Sequence, residues 1–188
     1  AKRKHDLAIL QKAIEEFYND RGCYPKTSEI CYETSTVVNI CKYGSWANAD
    51  VLTQVCNVCG RESSSPSFSP YLGTLPCDPQ HPTIKYLYEV PAKIPPVKCT
   101  STPAQAANSC PQLYRIYSQL ADEYDKDSLS LLCTYGGCGI GYDESFLVRP
   151  SGTVNPYPYG YGYGVTSPNT RLQRTPQFAC YTGTGPSD

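Results

Sequence analysis

The residues with the clearest chemical potential are cysteines. Cys56-Asn-Val-Cys59, followed by Gly60, has the spacing of a thiol–disulfide motif or of half a zinc knuckle, and Cys133 with Cys138 offers a second pair. A dithiol active site needs its motif at the start of a helix in a βαβ unit, and a zinc ribbon needs two well-spaced knuckles in a small domain; neither context surrounds these pairs. The 11 cysteines are instead spread along the chain as Cys23, Cys31, Cys41, Cys56, Cys59, Cys77, Cys99, Cys110, Cys133, Cys138 and Cys180. That spread reads as structural disulfides formed in an oxidising compartment outside the cytosol. Cys56 and Cys59 are then expected to bond distant partners, because closing a long loop restricts the unfolded chain more. An odd number leaves one cysteine outside any set of internal bridges, and the sequence leaves the pairing open.

Other clusters are weaker. Asp122, Glu123, Asp125 and Asp127 concentrate carboxylates in one turn, and Asp122, Asp125 and Asp127 are candidate calcium ligands, although no Asp-x-Asp-x-Asp-Gly loop closed by a glutamate is present. A solvated polar turn is the plainer alternative. His5 and His81 lie far apart, without a Gly-x-Ser-x-Gly or His-x-x-x-His motif, so no residue is offered as catalytic and the chain is read as a non-enzyme. Tyr157, Tyr159, Tyr161 and Tyr163 alternate with Pro and Gly; in an extended run their rings share one face and form a candidate binding patch for sugars or a partner, or else they pack the loop onto the body. Lys2, Arg3 and Lys4 form a basic patch suited to lipid phosphates or a neighbour's acidic groups, or simply a solvated helix end.

These residues must be held by a fold that composition constrains. With 188 residues the chain is long enough for one domain with its own core. A net charge of −1 gives no bulk electrostatic pull toward nucleic acid or anionic membrane. The 17 prolines, 17 tyrosines and 14 glycines, with no methionine, describe stapled loops and turns more than helices. No run of 18 apolar residues is present, and residues 1–5 do not resemble the start of a signal peptide.

One helix is well marked. Leu7, Leu10, Ile14, Phe17 and Tyr18 make an apolar stripe at helical spacing over residues 2–20, while Lys4, Asp6, Gln11, Lys12, Glu15 and Glu16 point elsewhere. Gly22 can close the helix in the left-handed conformation, and Tyr24-Pro25 forces extended backbone. No capping residue precedes Lys2, as expected where a longer helix is cut. Strand signals follow at 34–40, 83–90 and 113–120, with weaker ones at 145–148 and 177–181; residues 46–58 could include a short helical turn. Residues 63–70 read as an exposed serine-proline loop, and 91–111 as a disulfide-pinned excursion.

The opening Asp6-Leu7 stripe running to Tyr18-Asn-Asp-Arg-Gly22-Cys-Tyr24-Pro25 resembles the second half of the long N-terminal helix of type IV pilins and type II secretion pseudopilins, as does the basic patch before it. Leu75-Pro-Cys77-Asp78-Pro79 leading to Tyr86-Leu-Tyr88 is similar to the segment entering the first head strand in that family, with Cys77 a departure from its pattern. A third likeness covers residues 113–127. Together these cover about a third of the chain; residues 26–74 and those after Ser128 match nothing in the family, and the number of cysteines exceeds its usual one or two bridges.

The resemblance implies an α+β, pilin-like fold: an N-terminal helix packed on a small antiparallel sheet of three to five strands. Residues 1–188 would form a single head domain, with 1–22 the C-terminal half of the helix, 26–74 and 91–111 inserted loops, and 131–188 a Tyr/Gly/Pro-rich extension. It further implies a hydrophobic half-helix absent from this sequence, a membrane-anchored precursor with a methylated mature N-terminus, and a place in an extracellular or cell-surface filament. Partners would be other pilin subunits, with carbohydrate, a surface or DNA as ligand for the outer loops, and membrane contact only through the missing helix. In major pseudopilins a calcium ion occupies the head; no other cofactor is implied. The alternatives are a secreted cysteine-rich binding domain that never polymerises, and a metal or thiol-redox protein using Cys56 and Cys59.

Overall fold

The computed structural model describes residues 1–42, 52–93, 109–120, 125–127, 163–168 and 177–179. Helix α1 runs Lys2–Arg21 and ends where the sequence requires: Gly22 adopts φ 70°, and its amide donates to the Tyr18 carbonyl at 2.7 Å. The chain leaves extended, with the Tyr24 amide donating to the Pro111 carbonyl at 2.7 Å. A one-turn helix, α2 (Thr27–Ile30), follows, its entry held by the Lys26 amide donating to the Glu29 carboxylate at 2.8 Å.

Six strands follow: β1 (Thr36–Lys42), β2 (Leu52–Val58), β3 (Tyr86–Lys93), β4 (Arg115–Ser118), β5 (Tyr163–Thr166) and β6 (Gln177–Ala179). They form one antiparallel sheet in the order β5-β4-β3-β2-β1-β6, a meander through β5 with β6 returning to the far edge beside β1. The architecture is therefore α+β, a helix on an antiparallel sheet. Among the described residues the sheet has six strands, against three to five expected.

Three readings of the sequence change here. Residues 26–74 are not an insertion outside the sheet, because they supply β1 and the central strand β2. Residues 52–58 are strand and not helical turn, since Val55 and Cys56 pair with Glu89 and Tyr88 of β3. The segment 131–188 is part of the sheet and not only an extension: it adds β5, and β6 falls where a strand was expected at 177–181. The expected strand at 145–148 lies outside the described residues.

The core sits between α1 and the sheet. Leu7, Leu10, Ile14 and Phe17 are buried against Cys56, Val58, Tyr86, Tyr88, Val90, Tyr114, Ile116 and Val165. Removing each aliphatic side chain of that stripe from water stabilises the fold by about 1.5–3 kcal/mol. Phe68 enters the same core from the serine-proline loop, stacking on Phe17 at a centroid distance of 5.5 Å, so that loop is anchored and not merely exposed. Both faces of β3 and β4 are buried: Leu87, Glu89, Arg115 and Tyr117 lie on the face turned away from α1, with Arg115 donating to Glu89 at 3.3 Å. Glu89 thus enters the interior as half of an ion pair, the arrangement that burial of a charge demands.

Candidate functional site

Helix α1 and the sheet are joined by polar contacts as well as by the apolar stripe. Asp6, expected to face away, is buried and accepts from the Tyr86 hydroxyl at 2.7 Å and from Lys2 at 2.8 Å. Glu15 accepts from two phenols, Tyr24 and Tyr114, each at 3.1 Å. Gln11 donates to the Thr166 carbonyl at 3.2 Å, and Tyr88 donates to the Pro25 carbonyl at 2.8 Å. Two carboxylates of the presumed solvent face are therefore sheet ligands: a helix laid on a twisted sheet buries more than one stripe, and tyrosines reach its flanks.

Burial, reinforced by these carboxylates, pushes the phenols of Tyr24, Tyr86 and Tyr114 well above the usual tyrosine range, and burial pushes Tyr88 up as well. A strand at 83–90 was legible in the sequence; what it lacked was any indication that acids on the helix would meet its tyrosines.

The basic patch at the start of α1 is engaged within the molecule. Arg3 grips Asp78 with two hydrogen bonds, 2.6 and 3.0 Å, and reaches Gln80 at 2.7 Å. The hydrogen bonds to Asp78 raise the pKa of the guanidinium. Lys4 donates to Asp125 at 2.5 Å and to Asp127 at 2.6 Å, contacts that hold its ammonium above the ordinary lysine value. A single ammonium therefore bridges two of the three candidate calcium ligands; Asp122 lies outside the described residues. Lys2, by contrast, is largely exposed.

Three disulfides staple the described residues: Cys23–Cys110, Cys31–Cys56 and Cys59–Cys77, spanning 87, 25 and 18 residues. Cys56 and Cys59 belong to different bridges, so the Cys-x-x-Cys spacing makes no dithiol site, and no described cysteine side chain is free. Cys41 lies in β1, in register with Phe178; Cys99, Cys133, Cys138 and Cys180 lie outside the described residues. Of the tyrosine run only Tyr163 is described, half-buried on β5 with the Lys4 ammonium 5.7 Å from its ring centre, while Tyr157, Tyr159 and Tyr161 lie outside. Tyr18, the last residue of the predicted stripe, lies at the core's rim, stacked on Tyr24 and donating to Gln112 at 3.1 Å.

The two histidines are kept apart. His5 is exposed on α1, whereas His81 is folded back against Glu62, with Nε2 2.5 Å from the carboxylate and the ring edge-on to Tyr32. Cys59, Glu62 and His81 bring potential ligand atoms within 4.8 Å of one another. Sequence spacing gave no sign of this group, because residues 60–82 have neither helical nor strand periodicity.

Compared with protein-family models, curated proteins and solved structures, the chain finds no match. Among the described residues no helix is long and apolar enough to cross a membrane.

Proposed function

We propose that this chain is the head of a structural filament subunit of the type IV pilin or pseudopilin kind, with α1 the outer half of a longer helix and the loops turned outward for subunit contact, adhesion, or cargo or DNA binding. The observation that carries the reading is the first turn of α1. It holds Lys2, Arg3 and Lys4, the basic patch that the resemblance places directly before the Asp6-Leu7 stripe. The three cations are neutralised locally by Asp6, Asp78, Asp125 and Asp127.

The packing of this half-helix along an antiparallel meander, and its exit through Gly22, Cys23, Tyr24 and Pro25, support the same assignment. The role is mechanical and adhesive, with no catalytic residue, and its partners are further copies or sibling subunits.

The test is mass spectrometry of surface filaments sheared from cells that produce the native protein. Peptides of this chain joined to an upstream hydrophobic segment with a methylated N-terminal residue are expected. Recovery of the native protein only as a freely secreted monomer without such a segment would overturn the proposal in favour of a non-polymerising cysteine-rich binding domain.

A further inference from the structure

The Cys59–Cys77 bridge, Glu62 and His81 form a group that the filament reading does not use. Cys59 is fully buried, Cys77 nearly so, and the His81 side chain is only 8% exposed. Cys59 Sγ, a Glu62 carboxylate oxygen and a His81 ring nitrogen all lie within 4.8 Å of one another, and Cys77 Sγ is bonded to Cys59. The second ring nitrogen of His81, Nδ1, is buried with no hydrogen-bond partner. Buried imidazoles normally have both nitrogens satisfied, and here only the nitrogen facing Glu62 has a partner.

Opening the bridge need not disperse the group. The Gly60 amide donates to the Leu75 carbonyl at 3.0 Å, and the two strands of loop approach so closely that a Cβ at Gly60 would lie 2.6 Å from that oxygen. Ser65 Oγ also donates to the Cys59 carbonyl, and Arg3 holds Asp78, the residue after Cys77, in two hydrogen bonds. The backbone carrying both cysteines is thus fixed by contacts other than the sulfur–sulfur bond.

We propose that the thiol form of this chain binds one Zn2+ at Cys59, Cys77, His81 and Glu62, so that metal and disulfide are alternative occupants of one place. Two thiolates, an imidazole and a carboxylate are a four-ligand set that suits tetrahedral zinc, whose ligand atoms lie roughly 2.0–2.3 Å from the metal. Ligand atoms on such a shell are roughly 3.3–3.8 Å apart, within the 4.8 Å spread of the Cys59, Glu62 and His81 atoms, and the two sulfurs separate to that spacing once the bridge opens. Binding displaces the two thiol protons.

Bridge closure then removes two electrons from the Cys59 and Cys77 thiolates by exchange with an incoming disulfide oxidant. That oxidant takes up two protons from solvent and leaves as a dithiol, and the zinc is released. The site belongs to the newly made chain before oxidation, where it would keep these two cysteines from pairing with the other nine.

Co2+ and Zn2+ binding to the full chain tests the proposal. Cys77→Ser frees the Cys59 thiol without reductant and leaves the other bridges intact; the wild type treated with a phosphine reductant is the second form. Each open-bridge form should take up cobalt with a thiolate charge-transfer band and tetrahedral d–d bands, displaced by zinc. Adding His81→Gln to Cys77→Ser should weaken uptake at least about tenfold. The oxidised wild type should bind neither metal at this affinity. Equal binding by the oxidised protein, or indifference to His81→Gln, would overturn the proposal. So would failure of both open-bridge forms to bind, including through unfolding, since the Gly60–Leu75 pairing is argued to hold the loops without the bridge.

Discussion

Alkaline conditions should unfold this protein through its buried tyrosines. Tyr86, Tyr88 and Tyr114 are fully buried, and each phenol is held well above its ordinary value, first by desolvation and then by charged or phenolic neighbours. A phenol that keeps its proton in the folded state but loses it near pH 10 when unfolded contributes its full stabilisation below that pH and loses it as pH rises. By about pH 11 the loss is roughly 1.4 kcal/mol per phenol, and roughly 4 kcal/mol for the three. That is a large part of the 5–15 kcal/mol typical of a domain. Tyr24, raised for the same reasons, adds in the same direction. Guanidinium unfolding followed by circular dichroism between about pH 8 and 11 measures the loss directly. Tyr88→Phe should cost about 1 kcal/mol at neutral pH, by removing the bond to the Pro25 carbonyl, yet shrink the alkaline loss by about a third. Stability flat to pH 11, or ultraviolet titration showing every tyrosine ionising near 10 in the folded protein, would refute the reasoning.

Leu10→Ala should destabilise the chain by about 2–5 kcal/mol in denaturant unfolding, because Leu10 is fully buried between α1 and the sheet. Gly60→Ala should be worse tolerated than Gly22→Ala. The first drives a methyl into the Leu75 backbone, whereas the second meets open space and incurs only the left-handed backbone penalty of about 1 kcal/mol; thermal melts of both variants check the order. Replacing Cys23 and Cys110 together by alanine should cost up to about 4–5 kcal/mol, the chain-entropy value for so long a loop, and more than replacing Cys59 and Cys77, whose loop predicts about 3 kcal/mol.

The helix was legible because its signals are local: a 3–4 spacing of apolar residues and a glycine at its end. β3 and β4 were legible for a similar reason, their aromatic and β-branched runs. β2 was misread because the Cys-x-x-Cys spacing draws attention to a motif, whereas the strand is defined by pairing with β3, some 30 residues later. α2 is a single turn, too short for periodicity to register. Asp6 and Glu15 looked solvent-facing because counting apolar positions cannot register a tyrosine approaching from the sheet. The Cys59, Glu62 and His81 cluster depends on how an aperiodic loop folds back at Gly60, and no local signal in the sequence reports that closeness.

The Cys23–Cys110 bridge sets the route along which tension would travel. A pull on α1 reaches the chain at Gly22, and one residue later a sulfur–sulfur bond passes it to Cys110, just before β4. The Tyr24 amide and the Gln112 side chain brace the same crossing, bonding the Pro111 and Gly22 carbonyls. Load therefore enters the sheet at β4, two strands away from β2, and β1, β2 and β3, which lie between the two bridged cysteines in the chain, are bypassed by the covalent link.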